Sequence, residues 1–186
     1  MMLKVKQFVP GQICLSCDGC CRYSDKTTVW APLFLFEEIL ELTGKNIVPC
    51  CLFTHPGRIT KKAARINLTE EQGMYICPCF NLPDHTCKIY PFRPLDCQLY
   101  PFLLARKKNK LFLALDEKCP YARRVMDSLV FDSYVKYLLE FLSTNDFLQA
   151  TVSNPEIFQD YDSDIKYLAD LPHFTQRVYG TSPSQP

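Results

Sequence analysis

Cysteine is the residue type that could do chemistry in this chain, and its spacing is not that of a core. Cys14, Cys17, Cys20 and Cys21 fall as C-x2-C-x2-C-C; Cys79, Cys87 and Cys97 follow as C-x7-C-x9-C, and Cys119 precedes Pro120. No regular helix or strand puts positions 14, 17, 20 and 21 on one face, so the run reads as a ligand loop. The ligating species is the thiolate, and a bound cation or cluster removes the proton outright. Four thiolates around a divalent ion leave about two negative charges, which nearby donors must offset. Arg22 directly follows the first cluster, Lys88 follows Cys87, and Arg93 precedes Pro94. Each is placed to supply that charge.

All-sulfur ligation suits two kinds of guest. Zinc takes four thiolates in a closed, structural shell. Cys14-x2-Cys17-x2-Cys20 also has the form of the first three ligands of a bacterial ferredoxin run, and Cys119-Pro120 has the local form of the fourth. Soft ligands do not choose between zinc and an iron–sulfur cluster, and both readings stand.

The remaining composition narrows the classes. At 186 residues, 47% of them hydrophobic and 13% aromatic, the chain predicts a folded protein of one domain or one and a half. Twenty-one basic residues against twenty acidic ones give a net charge of +1, which predicts no general pull toward nucleic acid or membrane. The one basic cluster, residues 106–110, falls at an expected hairpin tip and reads as a solvated turn. No apolar run has the length of a signal peptide or a membrane span, so a cytoplasmic location is expected. In that compartment thiols stay reduced, and a cysteine framework more often holds metal than disulfides. Phosphate-cradling glycine loops, dinucleotide fingerprints and Ser-His-Asp signatures do not occur, and six glycines leave little material for them. Of the three histidines, His55, His85 and His173, only His85 lies between cysteines, and it reads as a loop residue. Tyr90 and Tyr100 read as packing around the site.

The elements that must position these thiols follow from pattern. A helix is expected from Pro32, which suits a first turn, on through residues 36–42, with Gly44 ending it and Glu37, Glu38 and Glu41 opposite Leu35, Ile39 and Leu42. It would cover the cysteine loop. Residues 65–68 and 74–77 predict a small hairpin that delivers Cys79, and residues 102–105 and 111–115 a second that delivers Cys119. Polar residues four apart from Arg124 to Glu140 predict one helix of about five turns. Asn154-Pro155 reads as a cap with proline in the first turn, and a further short helix is expected from Ser163 to near Leu171. The proline-rich end, residues 181–186, is expected to be disordered.

Together the motifs form a recognisable set. C-x2-C-x2-C-C-Arg22, then Cys79-Phe80, Cys87-x-Ile89-Tyr90-x2-Arg93-Pro94-x2-Cys97-x3-Pro101-Phe102, then Cys119-Pro120, resembles the YkgJ-type cysteine-cluster family. That family is described as a zinc- or iron-chelating domain. The resemblance covers residues 14–120 and implies that Cys14, Cys17, Cys20, Cys21, Cys79, Cys87, Cys97 and Cys119 are the metal ligands. Arg22 and Arg93 would then be the cofactor-side cations. Flagellin lysine-N-methylases carry a similar cluster, so a methyl-transfer or redox accessory role is an alternative, as is a zinc or iron carrier. The chain departs from the family at Gln98, where an arginine usually follows the cysteine. Cys50, Cys51 and Cys77 lie outside the pattern and read as structural thiols, with Cys77 able to exchange roles with Cys79.

The expectation is therefore an α+β protein. Residues 14–120 would form a small metal-nucleated domain with short β-hairpins and one covering helix, after a lead-in over residues 1–13. Residues 121–180 would form a helical extension packed on it and open to a protein partner.

Overall fold

The computed structural model describes residues 3–17, 19–53, 62–161 and 163–180. It has the expected mixed α+β character, with small antiparallel sheets among short helices. The chain forms two compact units, one ending at Leu99 and the other beginning at Tyr100.

The first unit runs through α1 (Gly11–Leu15), a 3-10 turn at Gly19–Cys21, β1 (Arg22–Tyr23), β2 (Leu33–Phe34) and α2 (Phe36–Gly44). A second 3-10 turn at Cys50–Leu52 follows, then β3 (Ala64–Arg65), β4 (Thr69–Glu71), β5 (Met74–Ile76), β6 (Phe80–Asn81) and β7 (Thr86–Cys87). A third 3-10 turn, Tyr90–Phe92, leads into α3 (Leu95–Leu99). The strands pair as β1-β5-β4, β2-β3 and β6-β7, all antiparallel.

The first hairpin is tighter than the sequence predicts. Gln72 and Gly73 both take positive φ, 52° and 78°, so a two-residue turn joins Glu71 to Met74. Turns with both central residues left-handed match strand twist, and glycine supplies one of them without a Cβ penalty. Residues 64–65 are thereby released to pair with β2 instead. The Arg65 guanidinium donates to the Ala31 carbonyl and the Ile66 amide to that of Pro32, which fixes this second pairing.

Helix α2 forms with Ile39 and Leu42 buried, but it starts at Phe36 and not at Pro32, because Leu33 and Phe34 pair with β3 as a strand. Its polar face does not hold throughout. Glu38 is only 2% exposed. One of its carboxylate oxygens accepts from the Leu35 amide at 2.9 Å and the other from the Leu95 amide at 2.7 Å. Glu38 therefore ties the start of α2 to the start of α3. The surrounding core joins Phe34, Leu42, Phe53 and Ile66 to Tyr23 and Phe80, and it includes Cys77 and Cys79, with Cys21 and Cys87 packed against it. The helix and the cysteines share one core.

The second unit holds β8 (Phe102–Lys107), β9 (Lys110–Asp116), α4 (Pro120–Val125), α5 (Leu129–Leu142) and α6 (Asn145–Ser153). A 3-10 turn at Pro155–Ile157, β10 (Ile165–Asp170) and α7 (Pro172–Tyr179) complete it. The basic hairpin forms where predicted, turning at Lys108 with φ 54°. The single long helix expected here is two helices. Ser128 interrupts it, its hydroxyl accepting from the Phe131 amide as the cap of α5, a position serine favours over a helix interior. Residues 165–170 form a strand, not the expected helix, because they find an antiparallel partner in β9. Pro172 then opens α7. Asn154 does not cap the turn after it; its side-chain amide donates back to Ala150 at 2.9 Å. Aromatic rings build this unit's core, with Phe102 stacked on Tyr134 at 5.2 Å and Phe174 edge-on to Phe147 at 5.6 Å. The terminal segment 181–186 and His55 lie outside the described residues. Among the described residues no helix is long and apolar enough to cross a membrane.

Candidate metal centre

Seven of the eight predicted ligand cysteines lie in the first unit, and Cys119 lies in the second. The first motif is not wholly irregular. Pro10 starts α1, its carbonyl accepting from Ile13 and Cys14, so Cys14 sits on a helical turn. The Cys17 amide donates to the Cys14 carbonyl, and Cys20 and Cys21 occupy the 3-10 turn beyond. Buried Tyr23 pins that turn by donating its hydroxyl to the Cys20 carbonyl at 2.6 Å.

Backbone pairing then brings the distant motif alongside. In the β1–β5 ladder Arg22 faces Ile76 and Tyr23 faces Tyr75. One step further, the Cys77 amide donates to the Cys21 carbonyl at 3.0 Å. The Phe80 amide donates to the Cys77 carbonyl at 2.8 Å, turning the chain at Pro78 into β6. There Phe80 faces Cys87, and the Lys88 amide donates to the Cys79 carbonyl. Cys97 comes from α3, whose first turn is held by Glu38 at Leu95 and by the Asp96 carboxylate accepting from Leu33.

The result is a group of thiols that act on one another. Hydrogen bonding to Cys20, then burial, then the fields of Cys20, Cys77 and Cys97 push the Cys21 thiol far up. For Cys79 the causes are a hydrogen bond to Cys77, burial, and the fields of Cys77, Cys87 and Cys97. Burial holds Cys97 well up, with Asp96, Cys77, Cys20 and Cys87 adding to it. Burial also pushes Cys87 up to about 11, although the Ile89 amide and the Arg93 cation pull it down. Cys77 moves the other way: the neighbouring Cys79 thiol, with help from the Cys79 and Phe80 amides, pulls it down against the opposing effects of burial and of the Cys20 field. Thiolates formed at these positions would repel one another, and a cation among them would relieve the repulsion.

Of the predicted cations, Arg93 is at the cluster. Its guanidinium stacks over the Tyr90 ring, 3.9 Å from the centroid, with one nitrogen 4.0 Å from Cys14 Sγ. It also donates to Gln7 Oε1 at 3.3 Å and to the Tyr90 carbonyl. Arg22 lies over Phe80 at 5.8 Å, and Lys88 donates to the Pro78 carbonyl. Tyr90 packs under Arg93 as a positioning ring, while Tyr100 donates to Asp116 within the second unit.

Gln98 has work that the sequence does not reveal. Buried, it donates to the Arg93 carbonyl at 2.8 Å and to Leu3, and accepts from the Val5 amide. It thus fixes the backbone of Arg93 and the leading segment that carries Gln7. His85 takes a left-handed turn, φ 50°, and its ring packs edge-on to Phe80, as a loop residue would. Cys50 and Cys51 are exposed on their own 3-10 turn. Cys119 is buried at the start of α4, its carbonyl accepting from Arg123.

Among the described residues, no three or more His, Cys, Asp or Glu side chains are already arranged to hold a metal ion. Compared with models of known protein families, with curated proteins and with solved structures, the chain gives no match.

Proposed function

We propose that this protein binds a metal ion or iron–sulfur cluster through thiolates of its first unit, drawn from Cys14, Cys17, Cys20, Cys21, Cys79, Cys87 and Cys97. The observation that carries the reading is the joint placement of Cys20, Cys21, Cys79, Cys87 and Cys97 by the β1–β5 and β6–β7 pairings and α3. Each of these thiols that shifts is raised in part by the others. The donor set fits either zinc or an iron–sulfur cluster, since both take sulfur alone. Each cysteine has one side-chain rotor, so rotamer changes on this backbone are the route to convergence on an ion. When bound, the metal would supply cross-links between three chain segments; a cluster would add electron transfer. The similarity of the spaced cysteines to the YkgJ-type pattern supports the same reading for the first unit.

On this reading the fold is metal-nucleated, with α2 covering the centre. Arg93 compensates the charge of Cys14 and Cys87, and Arg22 and Lys88 contribute more weakly. Anaerobic purification of the full chain, with elemental analysis and a visible spectrum, tests it. Stoichiometric zinc in a colourless protein, or iron with acid-labile sulfide in a brown one, is the expected result. Folded protein that neither contains nor takes up metal would overturn it.

A further inference from the structure

Cys50 and Cys51 do not fill a core, as the structural role expected of them requires. They are exposed, whereas each of the other nine cysteines is buried or half-buried. Free cysteine is among the most buried residue types, and its reactivity, more than its packing, sets its uses. The turn that presents the pair is fixed on both sides. Val48 before it and Phe53 after it are 1% and 4% exposed, and both belong to the core of the first unit. Pro49 opens the turn; its carbonyl accepts from the Leu52 amide at 3.1 Å, and the Cys50 carbonyl accepts from the Phe53 amide at 3.2 Å. The Asn67 backbone amide donates to the Leu52 carbonyl at 2.6 Å, and its side-chain amide to the Cys51 carbonyl at 3.4 Å. Two neighbouring thiols are thus exposed on a backbone anchored at both ends.

Their chemistry separates what the pair can join from what it cannot. Across the trans peptide between them, adjacent Cα atoms lie about 3.8 Å apart. Disulfides without strain need about 4.4 Å or more. The two sulfurs are poorly set to bond each other. One atom bonded to both sulfurs eases that limit, because it lengthens the ring by one member. Soft centres suit thiolate ligands, and a second, linked thiolate raises retention through its effective concentration. We infer that Cys50 and Cys51 form a separate surface site that takes one thiophilic centre of low coordination number through both sulfurs. A soft monovalent cation or trivalent arsenic has that chemistry. Each thiol gives up its proton as its bond forms, and no electron is transferred. The site uses none of the thiols of the proposed metal centre, so the inference stands or falls apart from that reading.

The test titrates phenylarsine oxide into the reduced full chain under anaerobic conditions. Its arsenic forms two As–S bonds, and its oxygen leaves as water with both thiol protons. Iodoacetamide then alkylates the thiols left free. The tryptic peptide of residues 46–58, which holds no other cysteine, reports on the pair. In the wild-type chain both thiols of that peptide should be protected together. Cys50→Ser and Cys51→Ser should each need about 100-fold more arsenical to protect the thiol that remains. Alkylation of both wild-type thiols, with the arsenical held on other cysteines, would overturn the inference, and this arm decides even where a serine variant fails to fold. Serine variants protected as fully as wild type would also overturn it, since each sulfur would then bind alone.

Discussion

At the scale of single residues, the proposed centre would depend on where charge can be neutralised. Arg93 is the cation with the most complete support: its ring partner is Tyr90, its hydrogen-bond acceptor is Gln7, and its backbone is held by Gln98. Gln7 is itself oriented, accepting from the Tyr90 hydroxyl at 2.8 Å and donating to the Val9 carbonyl. Under the metal–thiolate proposal, a guanidinium so fixed would stabilise thiolates at Cys14 and Cys87 while losing less entropy than a flexible ammonium. Arg93→Met should therefore weaken metal retention about 10- to 100-fold, the range typical of residues that support ligands. Competition with a chromophoric chelator measures this, and an unchanged affinity would remove Arg93 from the site. Arg93 is legible in the sequence because it sits between Cys87 and Cys97 beside a proline. Gln98 and Gln7 are not, since their roles arise from contacts across more than fifty residues.

At the scale of elements, β1 through β7 are two or three residues long. Strands this short carry almost no propensity signal of their own. Their pairing is decided by a tight turn at Gln72-Gly73 and by anchors such as Arg65 on Ala31. That is why the hairpin is legible as a feature and its register is not. Helix α2 is legible because its apolar spacing is regular, but its outer face departs from the pattern at Glu38. Burial pushes the Glu38 carboxyl from 4.5 up to about 8, against the pull of the Leu35 and Leu95 amides. The folded protein then holds a proton between those values that the unfolded chain releases. This contribution to stability is complete below about pH 4.5 and is lost as pH rises through about pH 8. The slope approaches about 1.4 kcal/mol per pH unit at most. Glu38→Gln keeps an oxygen acceptor and cannot ionise, so its stability should fall less than wild type's between those limits. Thermal melts at matched pH values check this. Parallel pH profiles for the two proteins would show that Glu38 does not titrate in this way.

At the scale of the whole molecule, the two units are built differently. The second has a three-stranded sheet with β8 and β9 of six and seven residues, and an aromatic core. Its hairpin is legible from two apolar runs around a basic turn, and α5 from helical periodicity. The pairing of β10 with β9 is not, because three helices separate them in the chain. The first unit has only small sheets, and its core is shared with cysteines. Small domains of this kind commonly draw their folding energy from a bound ion. Under the metal–thiolate proposal, the thiols of the first unit supply that ion's shell. X-ray absorption at the edge of the metal that copurifies with the anaerobically prepared full chain tests this most directly. Thiolate ligation predicts a first shell of sulfur alone, at about 2.3 Å for zinc. A shell dominated by oxygen or nitrogen would contradict it.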